Sequence, residues 1–144
     1  MRIALDTNIL SALLSGEPTA GAVATRLSQA RQAGDVLVIC GLVYVELLAH
    51  PNMTRELRDD FLADTDLLVE LDFSREVWEL AGDAYLPYAQ RCRKNGAPPP
   101  RRVPADFLIA AHAMTRADAL FTLDDGYAVN FPHLRLLETA QTAR

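Results

Sequence analysis

Short apolar runs alternate with segments of helical periodicity along almost the whole chain, and that alternation admits few folds. The runs at 2–5, 36–40, 67–71, 119–122 and 134–137 read as strands, while 7–14, 18–33, 41–50, 54–65, 74–94 and 104–116 read as helices. Parallel neighbours need crossover connections, so strands separated by helices point to a central, mainly parallel sheet covered on both faces, a three-layer α/β/α arrangement. In such sheets ligands gather beyond the carboxyl ends of the strands, where the strand order reverses.

At 144 residues, half of them hydrophobic, the chain is expected to form a single domain, 1–144, burying roughly 70% of the surface its unfolded form exposes. No stretch reaches the ~20 apolar residues that span a bilayer, so the expectation is a soluble, cytoplasmic protein without a membrane partner. Cys40 and Cys92 are too few and too far apart in sequence for a disulfide framework or a zinc site. Cys40 closes the apolar run Val36–Ile39 and reads as a small core residue. A net charge of −5 argues against a protein that coats nucleic acid, although net charge constrains non-specific binding more than it does a single site.

Four acids stand where strands end or helices begin. Asp6 follows the strand Arg2-Ile3-Ala4-Leu5 and precedes the helical spacing of Ile9, Leu10, Leu13 and Leu14, which on these residues alone fits a helix N-cap as well as a ligand. Glu46 is surrounded by apolar neighbours in Gly41-Leu42-Val43-Tyr44-Val45-Glu46-Leu47-Leu48, with no Lys or Arg within four positions. A carboxylate buried there needs a cation or hydrogen-bond donors to stay ionised. Asp106 opens a helix with Phe107, Ala110, Ala111 and Met114 on one face, where the positive end of the helix dipole also favours it. Asp124 follows Ala119-Leu120-Phe121-Thr122 as Asp6 follows the first strand; its neighbour Asp125 forms a turn-like pair with Gly126, so Asp124 is favoured as the ligand and Asp125 as the turn residue.

If these four carboxylates converge, their repulsion must be offset by cations or by protons. Oxygen-only ligation points to Mg²⁺ or Mn²⁺, and Mg²⁺ held by few carboxylates completes its shell with waters and substrate phosphates. Such ions activate water and steady the leaving oxygen in phosphodiester hydrolysis. The histidines His50, His112 and His133 form no obvious alternative site. Arg91, Arg93, Lys94, Arg101 and Arg102 supply five of the fourteen Lys and Arg residues, around Asn95-Gly96 and Pro98-Pro99-Pro100. That basic segment is either a solvated loop or a contact for nucleic-acid phosphates.

Over nearly its full length the chain resembles the PIN-domain ribonucleases, in particular the VapC-like toxins of type II toxin–antitoxin pairs. The resemblance rests on Leu5-Asp6-Thr7-Asn8-Ile9-Leu10, Val45-Glu46-Leu47-Leu48, Pro104-Ala105-Asp106-Phe107-Leu108-Ile109-Ala110-Ala111, and Thr122-Leu123-Asp124 followed by Tyr127. It implies a PIN-like fold and a Mg²⁺- or Mn²⁺-dependent endoribonuclease with Asp6, Glu46, Asp106 and Asp124 as catalytic metal ligands, oriented by Thr7, Asn8 and Thr122. It further implies a homodimer and a cognate VapB-like antitoxin that blocks the groove, often with a basic side chain among the acids.

The chain departs from the family pattern at Cys40, where Ser is frequent, and at Ala49-His50-Pro51, where a small or glycine ending is frequent. Two rival readings remain at this level. One is a Mg²⁺-dependent phosphatase with Asp6 as covalent nucleophile, although such enzymes carry a second Asp where this chain has Asn8. The other is a catalytically silent PIN-like protein that binds RNA or a partner.

Overall fold

Ile3, Ala4 and Leu5 are each at most 2% exposed, and a strand apolar on both faces belongs in the interior of a parallel sheet. The computed structural model describes residues 1–98 and 102–139. Its elements are β1 (Arg2–Leu5), α1 (Thr7–Ser15), α2 (Ala20–Gln32), β2 (Val36–Cys40), α3 (Gly41–Glu46), a 3₁₀ turn (Leu47–Ala49), α4 (Arg55–Asp64) and β3 (Leu68–Glu70). They continue with α5 (Arg75–Lys94), α6 (Ala105–Arg116), β4 (Ala119–Phe121), α7 (Tyr127–Asn130) and β5 (Leu136–Leu137). The strands form one sheet in the order β3-β2-β1-β4-β5, and every pairing is parallel. Helices cover it in the expected three-layer α/β/α arrangement.

This order places the reversal at the seam between β1 and β4. The chain steps outward from β1 through β2 to β3, then returns to lay β4 on the other side of β1. Ala4 pairs with Leu120 and Leu5 with Phe121, so the residues after both strands emerge side by side.

Several elements are shorter than the sequence predicts. The helix expected over 41–50 ends at Glu46 and tightens into the 3₁₀ turn, because His50 precedes Pro51 and is held extended (φ −64°, ψ 136°), the conformation that a following proline imposes. The strand expected over 134–137 is reduced to Leu136–Leu137, since the Leu134 N–H donates to Phe131 O at 3.0 Å in a turn. Helix α7 was not expected at all. It is a single turn, too short to show a period.

Helix α6 is buried more completely than its one predicted face implies. Phe107, Ile109, Ala110, Ala111, His112 and Ala113 are all buried, while Met114 is half-buried; the helix is enclosed by α5 and the sheet. His112, 1% exposed, donates from Nε2 to Glu70 Oε2 at 2.7 Å, and Glu70 also accepts from the Arg2 guanidinium. This chain of contacts ties α6 to β3 and β1. No helix among the described residues is long and apolar enough to cross a membrane.

Burial pushes the His112 pKa below the ordinary histidine value, against the opposing pull of Glu70. The folded protein therefore holds the ring neutral, while the unfolded chain takes up a proton once the pH falls below about 6.5. Stability from this group is complete above that pH and declines as the pH drops toward the lower folded value. A melting temperature that falls between neutral and mildly acidic pH, with the slope reduced in His112→Gln, is expected; an identical profile in the variant would remove His112 as the cause.

Candidate active site

Asp6 carries the β1–β4 ladder one residue past β1, its N–H donating to Phe121 O at 3.0 Å. Its backbone is extended and its side chain caps α1, with Oδ1 accepting from Thr7 N at 2.7 Å. Oδ2 accepts from Thr122 Oγ1 at 2.7 Å and from Asn8 Nδ2 at 2.9 Å. Capping and presentation at the sheet edge are thus one arrangement. With three donors fixing it, the carboxylate is only 6% exposed and stays oriented.

Thr122 organises the other side of the seam. Its hydroxyl donates to Asp6 and accepts from Asn8 Nδ2 and Asp124 N, both at 3.0 Å, which fills the donor and acceptor capacity of a hydroxyl. Asn8 Oδ1 accepts from Leu123 N at 3.1 Å, and this orients the amide with Nδ2 toward Asp6. Thr7 Oγ1 donates to Glu46 Oε2, giving the half-buried glutamate at the end of α3 the donor its apolar setting demands.

Asp106 stands in the first turn of α6 after Pro104. Its outer edge faces solvent, yet its pKa is raised, first by partial desolvation and then by repulsion from Asp6, Asp124 and Glu46, in that order. The long bond from Tyr127 Oη, at 3.5 Å, opposes the rise. Tyr127 is 4% exposed; burial and the surrounding acids push its hydroxyl far above the ordinary tyrosine range, so it is a neutral donor at any physiological pH. Asp124 Oδ1 accepts from Gly126 N at 2.8 Å. A Cβ at Gly126 would lie 2.9 Å from that oxygen, so glycine is what lets the aspartate close this turn.

One cleft of about 640 Å³ is lined by Asp6, Thr7, Asn8, Glu46, Asp106 and Asp124. Asp125 does not line it; its carbonyl accepts from Ala128 N at 3.2 Å in the turn that starts α7. Glu17 and His50 border the cleft as well; Glu17 lies in the connection before α2, where no periodic signal marks it, and His50 was read from sequence as forming no alternative site. Tyr127 has a signal, its place after the fourth acid, but its burial beside Asp106 is a product of the fold.

Among the described residues none of the four acids forms an ion pair with a basic side chain. Nor do any three His, Cys, Asp or Glu side chains there stand close enough to grip an ion together. Oxygen donors of this kind fit Mg²⁺ or Mn²⁺, which keep several waters and bind directly to only one or two carboxylates. The repulsion that adds to desolvation in raising the Asp106 pKa is the property a cation in the cleft would relieve.

The basic residues stand elsewhere. Arg91, Arg93 and Lys94 occupy the exposed last turn of α5, and Arg102 is exposed after it; Arg101 lies outside the described residues. Arg91 reaches Asn130 Oδ1, and Asn130 borders a second cavity, of about 210 Å³, that shares Asp106 and Asp124 with the acid cleft.

The family model for the PIN domain matches residues 3–130, from β1 to the end of α7, and so includes all four acids. The chain belongs to the PIN-domain family. The PIN domain is similar to a chain of VapBC-1 from nontypeable Haemophilus influenzae, with 26% identity and a TM-score of 0.67 over 96% of this chain and 98% of that one. It shares its fold with a chain of VapBC2 from Rickettsia felis, solved bound to a DNA fragment from their promoter, at 22% identity and a TM-score of 0.63, covering 95% and 98%. Comparison with curated proteins finds no match.

Thr122→Val removes the hydroxyl that joins Asp6, Asn8 and Asp124 in this PIN domain. It leaves buried polar groups unpaired, so a loss of about 1–3 kcal/mol is expected, measured by urea unfolding. A loss below a few tenths would show that the seam does not depend on this hydroxyl.

Proposed function

We propose that this PIN domain is a VapC-like endoribonuclease, the toxin of a VapBC-type pair, which hydrolyses RNA phosphodiester bonds with Mg²⁺ or Mn²⁺. The observation that carries the reading is the meeting of Asp6, Glu46, Asp106 and Asp124 along one cleft, each arriving from a different part of the chain. The likeness to chains of VapBC complexes supports the toxin role and a VapB-like antitoxin as partner. Action as a cytoplasmic homodimer belongs to the same reading.

Asp6, Glu46, Asp106 and Asp124 are the residues that would hold the metal. When bound, it supplies an activated water and charge stabilisation at the phosphate. The chain's own groups do the positioning. Thr122, Asn8 and the Thr7 N–H hold Asp6 oriented, the Thr7 hydroxyl does so for Glu46, and the Gly126 N–H does so for Asp124. Tyr127 offers Asp106 a proton that it does not release. Arg91, Arg93, Lys94, Arg101 and Arg102 hold flanking phosphates; Arg91, Arg93, Lys94 and Arg102 do not line the acid cleft, so their charge does not neutralise the ligands.

Two observations weigh against the rivals. A nucleophilic Asp6 needs an unencumbered oxygen, whereas both of its oxygens accept hydrogen bonds and the residue is buried. A silent scaffold has no use for an Asp106 whose pKa is raised by partial desolvation and then by Asp6, Asp124 and Glu46.

The test is incubation of purified, antitoxin-free protein with total cellular RNA and Mg²⁺ or Mn²⁺, beside EDTA and Asp6→Asn controls. Discrete cuts that disappear in both controls are expected. Folded protein that cuts nothing with either metal would move the reading to binding alone. Removing Arg93 and Lys94 together is expected to weaken RNA binding and to reduce the magnitude of its salt slope by about 1 for each lost phosphate contact; an unchanged slope would assign these side chains to solvation.

A further inference from the structure

The smaller cavity beside the acid cleft has a different character. Tyr88, Pro104, Phe107, Tyr127 and Phe131 make most of its wall, with Asn130 adding an amide. We propose that it receives one unstacked nucleobase of the RNA, next to the phosphate held at the acids. The inference rests on the ribonuclease reading and names how the same site takes its substrate.

Position comes first. Asp106 and Asp124 border both cavities, so a strand whose phosphate lies at the acids has a neighbouring base at the mouth of this one. Volume agrees, since about 210 Å³ against 640 Å³ in the cleft suits a single flat ring rather than a length of backbone. Charge selects the part of the nucleotide. An apolar wall rimmed by two carboxylates repels a phosphate, whereas a neutral base meets aromatic rings, the means by which proteins hold splayed bases of single-stranded RNA.

The wall is also rigid. Phe107 and Phe131 are 3% and 4% exposed, with ring centroids 5.6 Å apart, and Tyr88 packs on Phe107 at 5.3 Å with a 51° tilt. Tyr88 is the half-buried member of this set. It is therefore the ring available to a base. Arg91 donates to Asn130 Oδ1, which leaves the amide Nδ2 as a donor for an acceptor on the base edge. The same contact fixes the guanidinium beside the cavity, where its charge can meet the next phosphate.

The experiment uses the full chain carrying Asp6→Asn, so that binding is read without cutting. Its probes are a short single-stranded RNA and an abasic ribose–phosphate strand of equal length. The base-bearing strand is expected to bind more tightly. Tyr88→Ala should reduce that advantage by about tenfold, the scale of one base–aromatic stack, while Tyr88→Phe keeps it and the abasic strand binds all variants alike. Photocrosslinking of 4-thiouridine RNA to the unsubstituted Tyr88 chain, mapped by mass spectrometry, is expected to label the wall of the cavity, and it does not depend on how Tyr88→Ala folds.

An advantage unaffected by Tyr88→Ala, or crosslinks confined to other surfaces, would overturn the pocket and leave the nuclease reading standing. Absence of cutting by the unsubstituted protein, with the Tyr88-dependent advantage intact, would remove the nuclease reading and leave the pocket. Failure of the base-bearing strand to bind would overturn the pocket.

Discussion

The hydrogen bond from Thr122 Oγ1 to Asp6 Oδ2 crosses the seam on which the rest of the site depends. Parallel pairing of β1 with β4 brings residues 116 positions apart side by side, and the Asp6 N–H bond to Phe121 O carries the ladder to the sheet's edge. One hydroxyl then links Asp6, Asn8 and the backbone that carries Asp124. Glu46 is drawn in by Thr7, the residue next to Asp6. Asp106 comes from α6, whose seat on the sheet is secured by aliphatic burial and by the His112–Glu70–Arg2 contacts. Four acids thus share one cleft without a basic side chain paired to any of them among the described residues.

That arrangement is electrostatically costly in the absence of a cation. Partial desolvation and three neighbouring carboxylates raise the Asp106 pKa, and the fold offsets this cost with neutral donors rather than with Lys or Arg. The exposed basic cluster Arg91, Arg93, Lys94 and Arg102 lies instead at the end of α5 and just after it. Separation of the two kinds of charge is what the proposed chemistry needs: carboxylates left available for a divalent ion, and cations placed to meet the phosphates of a strand that passes the cleft. Beside the acids lies the aromatic cavity, whose wall is mostly apolar with Asp106 and Asp124 at its rim, a setting that suits a neutral ring better than a phosphate.

Most of the architecture was legible because its signals are local. Val36 to Cys40 is one apolar run, α6 shows a clean period around Phe107, Ala110 and Ala111, Asp6, Asp106 and Asp124 each have a strand end or helix start beside them, and Glu46 stands out in an apolar stretch. Helix α7 was not legible, because one turn has no period, and the shortening of α3 was missed because the effect of Pro51 on His50 is a backbone restriction rather than a hydrophobic pattern. Within the site, the carboxylates could be picked out one by one, but the three bonds of Thr122 depend on the β1–β4 pairing, and the closeness of Tyr127 to Asp106 depends on where α6 and α7 meet. Glu17 reaches the cleft from an unpatterned connection between α1 and α2. Such contacts between distant segments have no counterpart in periodicity or spacing.

Titration of the metal-free protein with Mn²⁺ by calorimetry, repeated with Asp6→Asn, Glu46→Gln, Asp106→Asn and Asp124→Asn, bears most directly on whether these four acids act as one site. The account predicts saturable binding by the unsubstituted chain that weakens with the loss of each carboxylate, in variants whose circular dichroism shows the fold retained. Equal affinity in the unsubstituted chain and all four variants, or no binding in any of them, would contradict it.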